Sequence, residues 1–338
     1  MSPPLPEISS VSDNDVVVHT GESVRVFDDL SSSTSFTLDG LHVTTLPARG
    51  ELLCTFTTVN DVHFGERSAG LIDGIDEWPA ITVDEGEDPF PEFMSAGAIA
   101  EMKAISPELV VVKGDLTSSG TQAEFDRFLD VYRGAFGEQM IYIRGNHESF
   151  HGLDCGSIEM QERNLPGVTI ALLDTSRDGQ INGTFSPDQL DWLDELASRA
   201  DRPVMVFGHH PVWDETVEAR SNDTFGLLPD ATDSLAQTFA RRSSLVGYFA
   251  GHTHRNHLTK LSLVPDRVFA ELGCVKDYPG TWAEYRVFDG GILQVHRRIS
   301  TPQALRWSEK ARNMFGGLYG PYALGDLDER CFAIDNPL

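Results

Sequence analysis

Five short motifs rich in aspartate, asparagine and histidine each follow an apolar run, and they constrain the fold more than any other feature. In chain order they are Asp61-Val62-His63, Gly114-Asp115, Gly145-Asn146-His147-Glu148, Gly208-His209-His210 and Gly251-His252-Thr253-His254. Carboxylate and amide oxygens and imidazole nitrogens are ligands for divalent and trivalent metal ions. Seven candidate ligands exceed what one tetrahedral ion uses, so the motifs suggest a two-metal hydrolytic site.

The runs between these motifs predict an alternation of strands and helices. Leucine, isoleucine and valine dominate the predicted strands at residues 52–59, 109–112, 140–143, 168–173, 204–207 and 245–249. Further β-like segments follow up to Ile299. Helical spacing covers residues 93–105 and 121–136, and a third helix is predicted to start at Ser186, where Pro187 and Gln189 complete a capping box. Because open α/β sheets bind ligands beyond the carboxyl ends of their strands, the five motifs can converge on one rim.

The chain divides by composition into three parts. Residues 1–50 are polar with short strand-like pieces and predict a small N-terminal β extension. Residues 51–299 carry all five motifs and predict the catalytic domain. Residues 300–338 begin with a helical stretch over 301–315, and we expect this tail to pack on the core; a homodimer contact is the alternative.

The charge and the cysteines exclude several classes of function. With 52 acidic and 26 basic residues, the net charge is −26, so the chain has no bulk attraction for nucleic acid polymers or anionic membranes. The four cysteines, Cys54, Cys155, Cys274 and Cys331, form no CxxC pair, which argues against a zinc knuckle or a disulfide framework. No apolar run approaches the roughly 20 residues of a membrane span, and the N-terminus does not resemble a secretory signal. We therefore expect a cytoplasmic protein.

The motifs resemble, in order, the D-x-H, G-D, G-N-H-[D/E], upstream H and G-H-x-H motifs of the metallophosphoesterase, or calcineurin-like phosphoesterase, superfamily. The resemblance covers roughly residues 52–299. It implies a four-layer α/β/β/α sandwich that binds two metal ions, which are iron, manganese or zinc. It also implies these ligands: Asp61, His63 and His254 for the first ion, Asp115 as the bridge, and Asn146, His209 and His252 for the second.

The same resemblance assigns His147 to catalysis. His147 would protonate the leaving group or steady the phosphate while a hydroxide that bridges the metal ions attacks. Taken singly, Asp115 is equally well a helix cap and Asn146 a turn residue. In the family's H-x-P pattern the first histidine is the ligand. We therefore expect His209 to bind metal and His210 to lie behind His209 without binding metal itself. No role is assigned to His42, His151, His257 or His296, and Arg144 and Arg255 are either phosphate contacts or solvated charges.

A second set of residues narrows the resemblance to the class III cyclic nucleotide phosphodiesterases. They are Leu173-Asp174-Thr175, Gly183, residues 186–193, Gly208-His-His-Pro and Ala250-Gly-His-Thr-His. The resemblance implies hydrolysis of a small phosphodiester, with 3′,5′-cyclic AMP or a related cyclic nucleotide as the leading candidate. This chain departs from the family pattern at Glu148, where aspartate is commoner. The departure bears on the identity of the substrate more than on the metal ligands.

The segment that follows His63 is the second departure. Residues 64–94, which we call the acidic insert, contain nine acidic residues and one arginine, Arg67. Because the insert leaves directly from a ligand motif, we expect it near the rim of the site. A negative rim disfavours DNA and RNA but tolerates a small diester with one negative charge. A solvated loop far from the metal ions is the alternative.

Two other functions stay open from the sequence. The first is a phosphomonoesterase of the same fold, which the activity ratio between a diester and a monoester substrate would distinguish. The second is a non-catalytic scaffold, which the presence of His147 and of every candidate ligand disfavours.

Overall fold

A computed structural model describes the chain over residues 4–71, 78–152, 158–216 and 219–337. Cys155 and three acidic residues of the insert, Asp73, Asp76 and Glu77, therefore lie outside the described residues. Within the described ranges, no helix is both long enough and apolar enough to cross a membrane.

Strands make up most of the regular structure in these ranges. They are β1 (Glu7–Val11), β2 (Val16–Thr20), β3 (Ser23–Phe27), β4 (Ser35–Leu38), β5 (Leu41–Thr44), β6 (Leu52–Val59), β7 (Ser68–Ala69), β8 (Ile81–Thr82), β9 (Val110–Lys113), β10 (Met140–Ile143), β11 (Met160–Leu165), β12 (Val168–Leu173), β13 (Val204–Phe207), β14 (Leu245–Ala250), β15 (His257–Thr259), β16 (Val268–Glu271), β17 (Thr281–Phe288), β18 (Gly291–Arg298) and β19 (Phe332–Asp335).

The helices lie mostly between strands. They are α1 (Phe90–Ala104), α2 (Gln122–Phe128), α3 (Gly134–Phe136), α4 (Asn146–Phe150), α5 (Pro187–Arg199), α6 (Pro229–Arg241), α7 (Pro302–Ala311), α8 (Tyr319–Leu324) and α9 (Leu327–Arg330). A π-helical turn over Leu129–Arg133 joins α2 to α3, and 3-10 turns span Gly137–Gln139 and Met314–Gly317.

Two six-stranded sheets face each other at the centre of the fold. The first has the order β10-β9-β6-β17-β18-β19 and the second β11-β12-β13-β14-β16-β15. Phe56 of the first sheet stacks on Tyr285 at 4.6 Å between ring centroids and meets Phe207 of the second sheet edge-on. Helices α1, α2 and α7 cover the outer face of the first sheet, and α5 and α6 cover that of the second. The predicted four-layer α/β/β/α sandwich is confirmed.

Strand direction explains how the motifs meet. β6, β9 and β10 are parallel neighbours in the first sheet, and β12, β13, β14 and β16 are parallel in the second. Their carboxyl ends therefore form one rim in each sheet. Each of the five motifs begins within two residues of the end of β6, β9, β10, β13 or β14.

The predicted elements agree with the structure where the local signals were strong. Ser186 and Gln189 form the predicted capping box at the start of α5, and Thr121 forms one with Glu124 before α2. The helix predicted over 121–136 is interrupted by the π-helical turn, and α1 begins at Phe90 rather than residue 93. Helix α6, strand β11 and strand β19 were not predicted.

The terminal segments pack together at one end of the sandwich. Strands β1, β2 and β5 contribute Val11, Val18 and Val43 to an apolar cluster with Leu293 and Val295 of β18. The tail begins with helices, as predicted, but it ends in strand β19. This strand pairs antiparallel with β18 and forms the edge of the first sheet. The division at residues 50 and 299 stays a prediction.

Candidate metal centre

The backbone is strained at the residues predicted to bind metal. Ten non-glycine residues in the described part of the chain have a positive φ. Five of them are predicted ligands: Asp61 (53°), His63 (47°), Asp115 (49°), His252 (72°) and His254 (58°). Each such conformation costs on the order of 1–3 kcal/mol and persists only where the surroundings enforce it. The strain therefore marks this rim as a built site.

Backbone hydrogen bonds tie the strand-end loops to one another. The N–H of Asp61 donates to the carbonyl of Gly114 at 3.1 Å, and the N–H of His63 donates to that of Asp115 at 3.0 Å. The N–H of His252 donates to both carboxylate oxygens of Asp61 at 3.1 Å. Loops from the two sheets thus share one hydrogen-bonded framework.

Two motif glycines are required by close approach. A Cβ at Gly145 would lie 2.2 Å from Oδ1 of Asp115, and one at Gly114 would lie 2.4 Å from Nδ1 of His209. Gly114 also has a φ of 85°. A larger residue at either position would displace a predicted ligand.

Asp115 lies between the two halves of the site. Its Oδ2 is 3.5 Å from Nε2 of His63 on one side and 3.3 Å from Nε2 of His209 on the other. Its Oδ1 accepts the N–H of His147 at 3.0 Å. Burial raises the pKa of this carboxyl, but the neighbouring His209 and His147 lower it by more. Its pKa therefore lies well below the usual value. Asp115 is an ionised carboxylate in the position of a bridging ligand.

The first group of candidate ligands consists of Asp61, His63 and His254. Their ligand atoms lie within 4.8 Å of one another, and Nε2 of His254 is 3.5 Å from Oδ1 of Asp61. Nε2 of His63 is buried and has no hydrogen-bond partner among the described residues. A buried nitrogen that faces two carboxylates without a hydrogen bond fits a cation between them.

The second group gathers His209, Asn146 and His252. Nδ1 of His209 donates to the carbonyl of Lys113 at 2.8 Å, so Nε2 of the neutral ring carries a lone pair. That Nε2 lies 3.1 Å from Oδ1 of Asn146, which is also an acceptor. Burial would lower the pKa of His209, but Asp115 and Asp61 raise it to about 9, so without metal a proton occupies this space.

His252 and His210 lie beside this group with different contacts. Nε2 of His252 donates to the carbonyl of Phe225 at 2.8 Å, which leaves Nδ1 for a metal ion. Both ring nitrogens of His210 are hydrogen-bonded, Nδ1 with the hydroxyl of Thr175 at 2.8 Å and Nε2 with the carbonyl of Ile181 at 2.9 Å. His210 thus has no ring lone pair left, in keeping with its expected place behind His209.

His147 is the most exposed of the predicted site residues, with 34% of its side chain accessible. Its Nδ1 donates to the carbonyl of Ser118 at 2.6 Å. Its Nε2 is 3.9 Å from Oδ2 of Asp115, and its ring meets that of His63 at 4.3 Å between centroids. His147 is therefore partly open to solvent, and its Nε2 lies on the side of Asp115.

Glu148 supports the loops of the site. Its buried carboxylate accepts hydrogen bonds from the N–H and hydroxyl of Thr117, at 2.7 and 2.6 Å, and from the N–H of Gly145 at 2.7 Å. Burial, with the charge of Asp115, raises the pKa of Glu148 to about 7. The departure from aspartate is therefore structural, because the longer side chain joins the second and third motifs.

A buried lysine was missed from the sequence. Nζ of Lys113 donates to Oδ1 of Asn60 at 2.7 Å and to the carbonyl of Ala250 at 3.0 Å, joining the ends of three strands. Asn60 in turn donates to Oδ2 of Asp61 at 2.5 Å. The available signal was a single charge at the end of an otherwise apolar strand, directly before Gly114.

The remaining polar residues near the motifs have protein partners. Arg144 donates to Asp174 at 2.7 Å, and Arg255 forms two bonds of 2.9 Å with Glu271. The histidines without an assigned role contact Thr37 (His42), Phe150 (His151), Glu329 (His257) and Thr281 (His296). Neither arginine is an isolated solvated charge.

The acidic insert begins beside the site, and its described later residues contact one another and helix α2. Oε2 of Glu66 is 3.3 Å from Nδ1 of His63. Farther along, Arg67 donates to the carbonyls of Asp84 and Glu87, and Glu92 pairs with Arg127. The part of the insert next to His63 therefore lies where it was expected.

Comparison with known proteins identifies a family. A model of the family described as calcineurin-like phosphoesterase matches residues 54–256. A probable cyclic nucleotide phosphodiesterase from Synechococcus sp. is 28% identical over 166 residues, which cover 48% of this chain and 63% of that protein. A cAMP/cGMP dual specificity phosphodiesterase from Mycobacterium tuberculosis is 28% identical over 168 residues, 44% of this chain and 49% of that protein. The matched segments thus cover between about half and just under two thirds of the length of these two relatives.

The solved structures agree on the fold. A dimetal phosphatase from Danio rerio superposes with a TM-score of 0.54 at 18% identity, covering 74% of this chain and 98% of that chain.

Proposed function

We propose that this chain, which belongs to the calcineurin-like phosphoesterase family, is a metal-dependent phosphodiesterase of small diesters, with 3′,5′-cyclic AMP as the first candidate substrate. Family members use a centre of two divalent metal ions. The observation that carries the proposal is the position of Asp115, between His63 and His209 and within 3.5 Å of a nitrogen of each. The curated relatives named as cyclic nucleotide phosphodiesterases support the diester.

The residues present fit two metal ions. We assign Asp61, His63 and His254 to the first ion and Asn146, His209 and His252 to the second, with Asp115 shared. Nitrogen and oxygen lone pairs converge in both groups, and ligands about 2.1 Å from one ion lie roughly 3–4 Å apart. The distances of 3.1 to 3.5 Å between these atoms agree with that spacing. Iron, manganese and zinc all suit this mixed set of imidazole, carboxylate and amide donors.

When bound, two such ions acidify a water molecule and neutralise charge on the phosphoryl oxygens. Asn146 supplies its ligand oxygen without adding negative charge. His147 is held by Ser118 through Nδ1, so a protonated ring presents its second N–H at Nε2, on the side of Asp115. From there His147 can deliver a proton to the departing alkoxide oxygen.

Charge favours a small diester over other phosphate esters. A phosphodiester carries one negative charge near neutral pH, whereas a monoester carries about 1.5 to 2. With a net charge of −26, the chain repels a monoester or a long polyanion more strongly than a single diester. We therefore exclude DNA and RNA from the proposed substrates.

The test is a substrate comparison with the enzyme reconstituted in manganese or iron. We expect faster turnover of bis(p-nitrophenyl) phosphate than of p-nitrophenyl phosphate, and a screen of cyclic and linear diesters then identifies the substrate. A ratio well below one would show a phosphomonoesterase instead. Robust cleavage of single-stranded DNA would show that the exclusion of DNA and RNA as substrates is wrong.

A matched variant separates catalysis from folding. Asn146→Ala should abolish turnover while the protein stays folded. If the unmodified, metal-loaded protein hydrolyses no diester at all, the chain is a scaffold and the proposal is wrong.

A further inference from the structure

The two histidines assigned to the first metal ion each face a second carboxylate on their outer side. His63 points Nε2 toward Asp115, and its Nδ1 lies 3.3 Å from Oε2 of Glu66. His254 points Nε2 toward Asp61, and its Nδ1 lies 4.0 Å from Oδ2 of Asp277, with the thiol of Cys274 in the same cluster. Both rings therefore lie between an inner carboxylate of the centre and an outer one.

One buried lysine joins the two outer carboxylates. Nζ of Lys276 is 2.7 Å from Oε2 of Glu66 and 3.6 Å from Oδ2 of Asp277. The Lys276 side chain is 6% exposed, and Nζ also lies 5.7 Å from the centre of the Phe90 ring. A buried ammonium of this kind is stable only with charged or hydrogen-bonded partners. We call Glu66, Lys276 and Asp277 the outer triad.

The tail holds the outer triad in place. The hydroxyl of Tyr319 donates to Oδ1 of Asp277 at 2.6 Å, and the thiol of Cys274 donates to the same oxygen at 2.9 Å. Nε1 of Trp307 donates to the carbonyl of Lys276 at 3.1 Å. The side chain of Tyr319 belongs to α8 and that of Trp307 to α7, so two helices of the tail reach this side of the site.

The acidic insert and the tail also contact each other. A Cβ at Gly70 of the insert would lie 3.0 Å from Sδ of Met314, and one at Gly316 would lie 2.7 Å from the ring of Trp78. The insert supplies Glu66 and the tail supplies Tyr319, so both segments contribute residues to the outer side of the first group of ligands.

The second group of ligands is supported differently. His209 donates to the carbonyl of Lys113 and His252 to that of Phe225, and both acceptors are neutral. Glu66 and Asp277 lie 3.3 and 4.0 Å from the outer nitrogens of His63 and His254, so they act on these rings by their charge and by packing rather than as hydrogen-bond acceptors. Losing an outer partner of a ligand typically weakens metal binding. A change in the outer triad should therefore affect one metal ion more than the other.

We propose that the outer triad positions His63 and His254 and so sets the affinity of the first metal site, with Tyr319 completing the support from the tail. This inference rests on the proposed function, because it needs the two-metal centre. It gives the insert and the tail a role in the chemistry of the site, as positioning elements that do not touch the substrate.

The experiment is a titration of the chelator-treated full chain with Mn²⁺ by calorimetry, with the metal content measured in parallel. We expect Glu66→Gln and Asp277→Asn to weaken one of the two Mn²⁺ equivalents about 10- to 100-fold and to leave the other unchanged. The control is Glu284→Gln, which changes a carboxylate about as buried as Asp277 that binds Arg286 and Arg297 instead of the outer triad. The control should keep both equivalents.

The possible failures are distinguishable. If both variants bind two equivalents as tightly as the unmodified chain, the outer triad has no positioning role. If the unmodified chain binds fewer than two equivalents, or binds them regardless of Asp115→Asn, the metal centre itself is wrong. Should Asp277→Asn fail to fold, Glu66→Gln alone decides, since Glu66 lies nearer the surface, with 16% of its side chain exposed.

The spectrum of bound Co²⁺ gives a readout that a merely structural change does not move. Glu66→Gln should shift the visible absorption of the first Co²⁺ equivalent, in addition to any fall in melting temperature that follows from the weaker pairing of Lys276. A lower melting temperature with an unchanged spectrum would contradict the inference.

Discussion

Replacing Glu148 by alanine tests whether this one carboxylate joins the second motif to the third. The substitution leaves three buried donors without an acceptor: the N–H and the hydroxyl of Thr117, and the N–H of Gly145. Each unsatisfied donor costs about 1–3 kcal/mol, and water entering the space left by the side chain recovers part of that. We expect Glu148→Ala to lower the free energy of unfolding by about 3–5 kcal/mol.

The assay is urea denaturation of the metal-free protein, which separates this effect from the loss of bound metal. Glu148→Gln keeps the shape and one acceptor oxygen, so it should cost less, about 1–2 kcal/mol. The control, Glu162→Ala, removes a surface carboxylate paired with Arg199 and should leave the denaturation midpoint near that of the unmodified protein. A loss below about 1 kcal/mol for Glu148→Ala, with an unchanged m-value, would refute the reasoning.

Three further predictions follow from single residues. His147→Ala should lower kcat about 10²- to 10⁴-fold on cyclic AMP, and less on bis(p-nitrophenyl) phosphate, whose leaving group needs no proton; equal losses in steady-state kinetics would contradict the role. Gly145→Ala should weaken Mn²⁺ binding in a titration, because its Cβ would meet Asp115 at 2.2 Å, whereas Gly134→Ala, in open space, should not. Burial lowers the pKa of His19 to about 3, so the unfolded chain takes up this proton below pH 6.5 while the folded chain does not. His19 alone should therefore lower the free energy of unfolding by about 1.4 kcal/mol per pH unit from 6.5 toward 3, and His19→Gln should reduce the measured slope by that amount.

Much of the fold could be predicted because local signals and tertiary structure agree in the central strands. The run at residues 109–112 is apolar at every position, and three of its residues begin β9 (Val110–Lys113), which is buried along its whole length. The capping box at Ser186 starts a helix where it was expected. The order of the motifs indicated the family, which the comparison confirmed.

Among the elements that were missed, strand β19 depends on contacts distant in sequence. Strand β19 has only four residues, and it is a strand because it pairs with β18 at the edge of the first sheet. Helix α6 has no side-chain cap at Leu228, and its start signals, Pro229 at the first position and Asp230 in the first turn, were overlooked. Strand β19 has no local pattern of its own that separates it from a loop.

The supporting residues of the site were missed for a related reason. Lys276 contacts both Asp277 and Glu66, the latter over a separation of 210 residues, and none of the three belongs to a motif that names a ligand. Glu66 was counted only as one charge of the insert. Motif spacing identifies groups that bind metal, whereas their outer partners depend on how the loops pack.

Strain and charge at the rim imply that folding and metal binding are coupled in this chain. Five predicted ligands hold a left-handed backbone, and Asp61 and Asp115 are buried carboxylates whose ligand atoms lie within 4.8 Å of each other. The strained backbone disfavours the folded state, on the order of 1–3 kcal/mol per strained residue. Cations between the two carboxylates relieve their repulsion, and any metal that binds only the folded state stabilises it by mass action. Because the outer triad contacts the ligands of one ion only, the coupling should be strongest at the first metal site, where the insert and the tail meet.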